Sequence, residues 1–350
     1  MIDYKQPRII EELRNRILDG TYTAQLPTTA ELAAEFGVNI KTMGKAIGHL
    51  VEEGRLERRK RCGTRVKTVP AAEKSRLIEV VFEGFTTIFT HPFWRDIWGG
   101  LVEKLAESGY RPVLTMLTSS DPATGLLECD RVELFESAAK VVLGIGEERL
   151  LRLVRESRVP FITACDPLGN EPETPQVTFD FAPGIAAAID FLHDRNCRRI
   201  AFIGQTRSYV NIHLIGKFNC YLQSLQRYEK INPDLIEDAR PLAEFGAPAM
   251  AAILDRSRPD AVLVAYDHLV PGVLEELKRR RTPLPVIGCD GLPLPEMERT
   301  AGTVWAPRRR CGEAAAELLL RALHDHSPVP SLHLPTEFRP RESFFHASRG

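Results

Sequence analysis

The chain has 350 residues, 43% of them hydrophobic and 27% charged, a composition that supports more than one proper core and excludes disordered and fibrous classes. Its formal net charge is −1, yet residues 1–70 carry 13 basic against 9 acidic side chains, so only the front end attracts polyanions. Seven cysteines, an odd number without a C-x-x-C pair, argue against a disulfide framework and against a zinc centre, and neither a metal nor a cofactor is expected.

In chain order, Ile9, Ile10, Leu13, Ile17 and Leu18 recur on one face and predict a helix over 7–19, closed by Gly20. Thr28 followed by Glu31 has the spacing of a capping box, so a second helix starts near Thr29 with Leu32, Ala33 and Phe36 as its buried stripe. Gly37 stops it. Asn39 or its neighbour caps a third helix, in which Met43, Ala46, Ile47 and Leu50 face inward before Gly54 ends it. Two short helices joined by a three-residue turn make a helix-turn-helix. From Asn39 to Lys67 nine Lys or Arg stand against three Glu, and Arg58 to Arg61 with Cys62-Gly63-Thr64 read as two short strands around a glycine turn. A basic ribbon beside an exposed helix suits contact with nucleic-acid phosphates, the bland alternative being a solvated charged face. On the first reading Asn39, Lys41, Thr42 and Lys45 face the major groove, with Thr28 at the edge of the same surface. Arg58, Arg59, Lys60, Arg61 and Arg65 would then meet the backbone or the minor groove.

Residues 1–68 therefore form the first expected domain, and the small, proline-interrupted stretch 69–75 reads as a linker. The early residues Asp3, Lys5, Arg8, Glu11 and Glu12 leave no apolar stretch for export, and no later segment is long and apolar enough to span a bilayer, so a cytoplasmic protein without membrane contact is expected. Beyond Arg76 short apolar strands (77–82, 113–117, 139–145, 160–164, 200–203, 261–265, 286–289 and 303–305) alternate with amphipathic helices. That alternation indicates parallel sheets covered on both faces. It runs too long for one six-stranded sheet, so the expected fold class is α/β: a small helix-turn-helix domain, then a two-lobed domain over 76–345.

Nucleotide-binding glycine loops, a Walker loop, a nucleophile elbow and a metalloprotease motif are all missing from the sequence. Polar residues instead cluster after apolar strands, where ligands collect in open α/β sheets: Phe93-Trp94, Cys165-Asp166, Tyr266-Asp267-His268 and Cys289-Asp290. Any one aspartate there reads better as a helix cap, but three in the same relative place favour a shared polar cleft. Arg308 to Arg310 open a helix, where cations are disfavoured, and a place at the mouth of a cleft is one explanation.

Two resemblances follow from these residues. Leu26-Pro27-Thr28, Glu31-Leu32-Ala33, Phe36-Gly37-Val38, Thr42, Ala46-Ile47, Leu50, Glu53-Gly54, Gly63-Thr64 and Val66 resemble the winged helix-turn-helix of the GntR family. Ile40 stands where that family usually has arginine, and Gly44 where a second basic residue is common; Lys41 and Lys45 come one place later, rotated about 100°. The stretch from Arg76 to Arg339 resembles the effector region of the LacI/GalR family, itself similar to periplasmic sugar-binding proteins. His91-Pro92-Phe93-Trp94 with Gly100, Val159-Pro160-Phe161-Ile162, Val177 to Asp180 and Arg198 to Gly204 carry it, with Val286 to Asp290, Thr303-Val304 and Gly312 farther on. This order of domains is similar to the arabinose-repressor arrangement.

The resemblance implies lobe crossovers near 180, 290 and 306, and a ligand site with Phe93 and Trp94 as an apolar wall, Asp290 on ligand hydroxyls, and Asp166, Lys217, Tyr266 and Asp267 around them. Tyr266 replaces the usual asparagine and Lys217 stands at best for the usual arginine. The function so implied is a non-enzymatic, ligand-responsive regulator, a repressor of carbohydrate catabolism genes. It would act as a homodimer on a two-fold operator in double-stranded DNA. A carbohydrate-active enzyme tethered by its front domain, and an architectural DNA binder without a ligand, are the competing classes.

Overall fold

The computed structural model describes residues 5–18, 21–22, 25–52, 56–59, 63–66, 76–84, 91–118, 134–144, 148–165, 174–206, 216–240, 242–341 and 344. The chain divides into two compact units, Met1–Ser75 and Arg76–Gly350. The expected linker, 69–75, lies outside the described residues.

The smaller unit holds helices α1 (Lys5–Leu18), α2 (Thr29–Glu35) and α3 (Ile40–Glu52) and an antiparallel hairpin of β1 (Leu56–Arg59) and β2 (Gly63–Val66). Its core takes Ile9 and Leu13 from α1, Leu32 and Ala33 from α2, and Met43, Ala46, Ile47 and Leu50 from α3, closed by Leu26 and Leu56; Ile10, Ile17 and Phe36, expected on the buried faces, pack against it only partly buried. Local chemistry sets the helix starts. The Thr28 hydroxyl accepts from the Glu31 N–H at 3.3 Å while the Glu31 carboxylate accepts from the Thr28 N–H at 2.7 Å, the reciprocal capping box. Asn39 Oδ1 accepts from the Thr42 N–H at 2.7 Å and caps α3. Arg16 ties α1 to α2 through Glu35 and lies over the Phe36 ring.

The larger unit has two six-stranded sheets among the described residues. The chain enters with β3 (Leu77–Gly84), α4 (Pro92–Glu107), β4 (Arg111–Thr118), β5 (Ala139–Gly144), α5 (Glu148–Glu156), β6 (Phe161–Cys165) and β7 (Gln176–Asp180). It then crosses to the second lobe through α6 (Ala182–His193), β8 (Ile200–Gly204), α7 (Gly216–Leu225) and β9 (Ile236–Asp238). That lobe continues with α8 (Gly246–Arg256), β10 (Ala261–Val264), α9 (Val270–Arg279), β11 (Val286–Asp290) and β12 (Gly302–Trp305). Helix α10 (Arg308–Asp325) returns to the first lobe with β13 (Leu332–Pro335), and β14 (Glu337–Pro340) crosses back. The strand orders are β13-β7-β6-β5-β3-β4 and β14-β12-β11-β10-β8-β9.

Two expectations are corrected. The crossover expected near 290 is absent, because β11 and β12 pair in the same sheet; the third crossing falls at Thr336, between β13 and β14. The second sheet is also not wholly parallel, since β14 runs antiparallel to β12. Strands β7, β9, β13 and β14 are missing from the strand list read off the sequence; three of them are sheet edges. Edge strands tolerate the prolines and charges of Leu332–Pro335 and Glu337–Pro340, which hide the apolar run that marks a central strand.

Helix α10 belongs by packing to the first lobe, where Cys311, Ala314, Ala315 and Leu319 join the core under α4. A Cβ added to Gly312 would collide with the Ile97 carbonyl, and one on Gly100 with the Arg309 carbonyl, so the two helices meet backbone to backbone. The same lobe buries an ion pair. Lys140 Nζ donates to Glu79 Oε2 at 2.5 Å, and the Thr115 hydroxyl, the Phe135 N–H and carbonyl and the Ser137 hydroxyl complete the network. Such a pair is costly to break from one side, because the survivor is left as an uncompensated charge. We therefore expect Lys140→Met to lower the unfolding free energy by about 3–5 kcal/mol, with a matching drop in urea midpoint. Restoring most of the loss with Glu79→Met in the same chain would separate the lost charge balance from lost packing.

Candidate DNA-reading surface and ligand site

In the smaller unit α3 turns Met43, Ala46, Ile47 and Leu50 inward and leaves Asn39, Ile40, Lys41 and Lys45 exposed, with Thr42 half-buried. Thr28 and Asn39 each have one oxygen engaged in a cap, so they position the helices whatever else they touch. Arg58, on β1, folds toward α3 and donates from Nη2 to the Gly44 carbonyl at 3.2 Å; it therefore flanks the helix instead of pointing along the hairpin. Arg65 is exposed on β2 opposite Glu57, and Arg59 ends β1. Lys60 and Arg61 lie outside the described residues.

In the larger unit the two lobes meet around Asp290, the last residue of β11. Its backbone has φ 103°, a region L-residues rarely adopt and one that is held only where surrounding bonds over-determine it. Those bonds come from both lobes. The Asp290 carbonyl accepts from Arg308 Nη1, and the same guanidinium grips Asp96 of α4 through Nε at 3.0 Å and Nη2 at 2.8 Å. The Asp290 carboxylate accepts from Lys217 Nζ at 2.5 Å, and that ammonium also donates to the Ala265 carbonyl at 2.8 Å. Two rings cover the charge, Phe181 at 4.4 Å and Tyr266 at 4.5 Å from Nζ, a cation–π arrangement strengthened by partial desolvation.

An aromatic trail leads from this cation into the first lobe. Phe181 meets Phe179 at 6.1 Å, Phe179 meets Phe93 at 6.1 Å, and Phe93 meets Trp94 at 5.1 Å, all edge-on. Trp94 in turn packs on Phe82 of β3. Beside it, His91 at the start of α4 faces His268 of the second lobe with ring centroids 5.7 Å apart. Burial holds the His91 imidazole below its ordinary range; the charge of Asp290 opposes that shift and Arg308 reinforces it.

Asp267 does something different from Asp290. It is fully buried, its carboxylate accepts from the Leu292 N–H at 2.7 Å and from the Thr303 hydroxyl at 3.5 Å, and it braces the turn after β11. Burial pushes its carboxyl well above the usual carboxylate range, helped by the charge of Asp290 and opposed by the Leu292 N–H and by Lys217.

Residues 5–66 match the family described as bacterial regulatory proteins, gntR family, and residues 189–344 match the periplasmic binding protein-like domain. The chain joins a GntR-type winged helix-turn-helix to a periplasmic-binding-protein-like domain. No curated protein matches it. Among solved structures, a transcriptional regulator CelR–cellobiose complex shares 22% identity, over 91% of this chain and 100% of its own, with a TM-score of 0.66. The regulator CcpA of Lactococcus lactis shares 18% identity over 77% of this chain and 99% of its own (TM-score 0.65). A LacI family regulator from Enterococcus faecium with bound ribose shares 18% over 76% and 97% (TM-score 0.61). At these identities the likeness is one of fold.

Within the binding-protein-like domain, Lys217, Tyr266 and Asp290 come together, and Phe93 and Trp94 join them through Phe179 and Phe181. Asp166 lies outside the described residues. Asp267 sits inside the second lobe, where its oxygens serve the fold. Sequence reasoning left out His91, Phe181 and Gln205, which accepts from the Tyr266 hydroxyl at 3.3 Å. His91 carried a signal, since it opens the quoted His91-Pro92-Phe93-Trp94 run; Phe181 and Gln205 carried none in their local pattern. Of the arginine run at α10, Arg308 reaches the lobe junction, while Arg309 pairs with Glu103 and Glu313, and Arg310 with Glu317.

The raised Asp267 carboxyl has a pH signature. The folded chain keeps this proton at pH values where the unfolded chain has lost it, so its contribution is full below about pH 4 and declines as pH rises through the folded value. Asp267→Asn removes the titration. The variant's stability relative to wild type should therefore climb with pH above about 4 and then level off, as read by urea unfolding at a series of pH values. A pH-independent difference would mean that the carboxyl titrates normally.

Proposed function

We propose that this chain is a transcription regulator whose hold on DNA changes when a small polar molecule, a sugar or sugar derivative, binds between the lobes. It works in the cytoplasm as a homodimer and represses genes of carbohydrate catabolism. The observation that carries the reading is the double role of Asp290. Its carbonyl is tied through Arg308 to the first lobe, and its carboxylate is occupied by a lysine that two aromatic rings cover. An ionised carboxylate accepts paired bonds from neighbouring hydroxyls, and an aromatic wall suits the apolar face of a sugar ring. A ligand that takes over the Asp290 carboxylate from Lys217 therefore acts on the residue that also joins the lobes. The solved neighbours that hold cellobiose and ribose support a ligand of that chemistry.

The effect on DNA is one of linkage. A ligand that prefers one arrangement of the lobes shifts DNA affinity by the difference of its binding energies, typically about 1–3 kcal/mol. Two copies suit this reading, since one recognition helix covers only a few base pairs and a two-fold operator supplies the rest. The enzyme alternative loses ground because neither matched family is catalytic. The ligand-free architectural alternative remains a distinct outcome of the screen below.

Two measurements test this reading. Thermal shift against sugars, polyols and sugar phosphates should find a stabilising ligand, worth about 2.7 kcal/mol at a hundredfold excess over its dissociation constant. Lys217→Met should change that response while leaving the melting curve of the free protein cooperative. No response across a broad library would favour the architectural alternative, and consumption of the bound sugar would favour an enzyme. On the DNA side, Lys41→Ala with Lys45→Ala should weaken binding to operator fragments and flatten the log–log salt dependence by about one for each lost phosphate contact. Unchanged affinity and slope would remove both lysines from the interface.

A further inference from the structure

Ile40 is the first residue of α3 and, at 60% relative exposure, the most exposed large apolar side chain among the described residues. It starts a ridge at i, i+4 spacing whose next members are Gly44 and Gly48, and a Cβ built on either glycine meets nothing within 4 Å. The ridge is an isoleucine followed by bare backbone. Donors border it on both sides: Lys41 and Lys45 are exposed on the outer face of α3, and Arg58 reaches in from β1 to the Gly44 carbonyl. Solvent exposure of an isoleucine within a ring of cations serves neither folding nor solubility, and the core of this unit closes without it.

We infer that Ile40 reads the C5-methyl group of a thymine in the major groove. This rests on the DNA-binding reading above and deepens it by naming what the helix distinguishes. The one apolar group of any size on the major-groove base edges is the thymine methyl; apart from the small C5–H of cytosine, what the bases present there is hydrogen-bond donors and acceptors. Asn39, Lys41 and Lys45 answer the polar groups and the phosphates, while Ile40 has no polar atom and can gain only from the methyl. The glycines that follow keep the ridge low, so the first turn of α3 approaches the bases without a side chain at Gly44 or Gly48 holding it off.

The test removes only the methyl. Operator duplexes are first selected with the full-length protein from random DNA, and each thymine is then replaced singly by deoxyuridine. For wild type we expect a loss of about fourfold at one position per half-site, the value of one buried methyl group. Ile40→Ala should bind the thymine duplex more weakly and give equal affinities for thymine and uracil at that position; Ile40→Val should fall between. Because Ile40 is outside the core, both variants should melt at the wild-type temperature, which separates lost reading from lost folding. Indifference of the wild type to uracil at every position, or equal sensitivity in Ile40→Ala, overturns the inference while leaving DNA binding intact. Failure to select any duplex overturns the DNA-binding reading itself, and this inference with it.

Discussion

Arg308 joins the two lobes of the larger unit by bonding to both of them at once. A buried guanidinium is tolerated only when its charge and its donors are matched, and here the match comes from two lobes at once: the Asp96 carboxylate from the first and the Asp290 carbonyl from the second. Its position at the start of α10 makes those partners necessary, since the positive end of the helix dipole opposes a cation there. The same helix leaves the second sheet at Trp305 and packs under α4 of the first through Gly312 and Gly100. One helix thus carries one of the crossings between lobes, an anchor in the core of the first, and at its start the guanidinium that bonds to both.

Around that clasp the polar groups form a graded set. Asp290 is shared between the clasp and Lys217; Lys217 is shared between Asp290, a backbone carbonyl and two rings; and the rings continue as an edge-on series into the first lobe. Each member is satisfied by its neighbours, so a ligand entering the set must replace a bond already made. Net affinity then comes from the difference between the two sets of bonds, which is the condition for a ligand to shift an equilibrium between lobe arrangements. Asp267 stands behind this layer as a support, holding the turn that gives Asp290 its unusual backbone.

The smaller unit works by local rules throughout. Capping by Thr28 and Asn39 sets where α2 and α3 begin, Gly37 at φ 62° ends the first of them, and the apolar stripe of α3 turns its charged side outward. Nearly all of this was legible in the chain, because each signal acts over three or four residues. Arg58 makes a contact that no local signal announced: expected on the DNA backbone or minor groove, it also bonds the Gly44 carbonyl across the open space beside that glycine.

In the larger unit the legible part is the alternation of apolar strands and amphipathic helices, and with it the two-lobed α/β class. The edge strands escaped notice because one unpaired side permits prolines and charges. The sequence by itself determined the helix starts and stops and the buried faces in the smaller unit, the concentration of positive charge at the front and the alternation of strands and helices behind it, all of which follow from short-range periodicity, capping and composition. Only the tertiary structure decided what each strand-end aspartate does. Asp267 and Asp290 both follow an apolar strand, yet one bonds a backbone N–H 25 positions away inside its own lobe, while the other meets a lysine 73 positions away and an arginine whose second partner lies 212 positions off. Partners at such separations are set by the packing of whole sheets and helices, which no local pattern encodes.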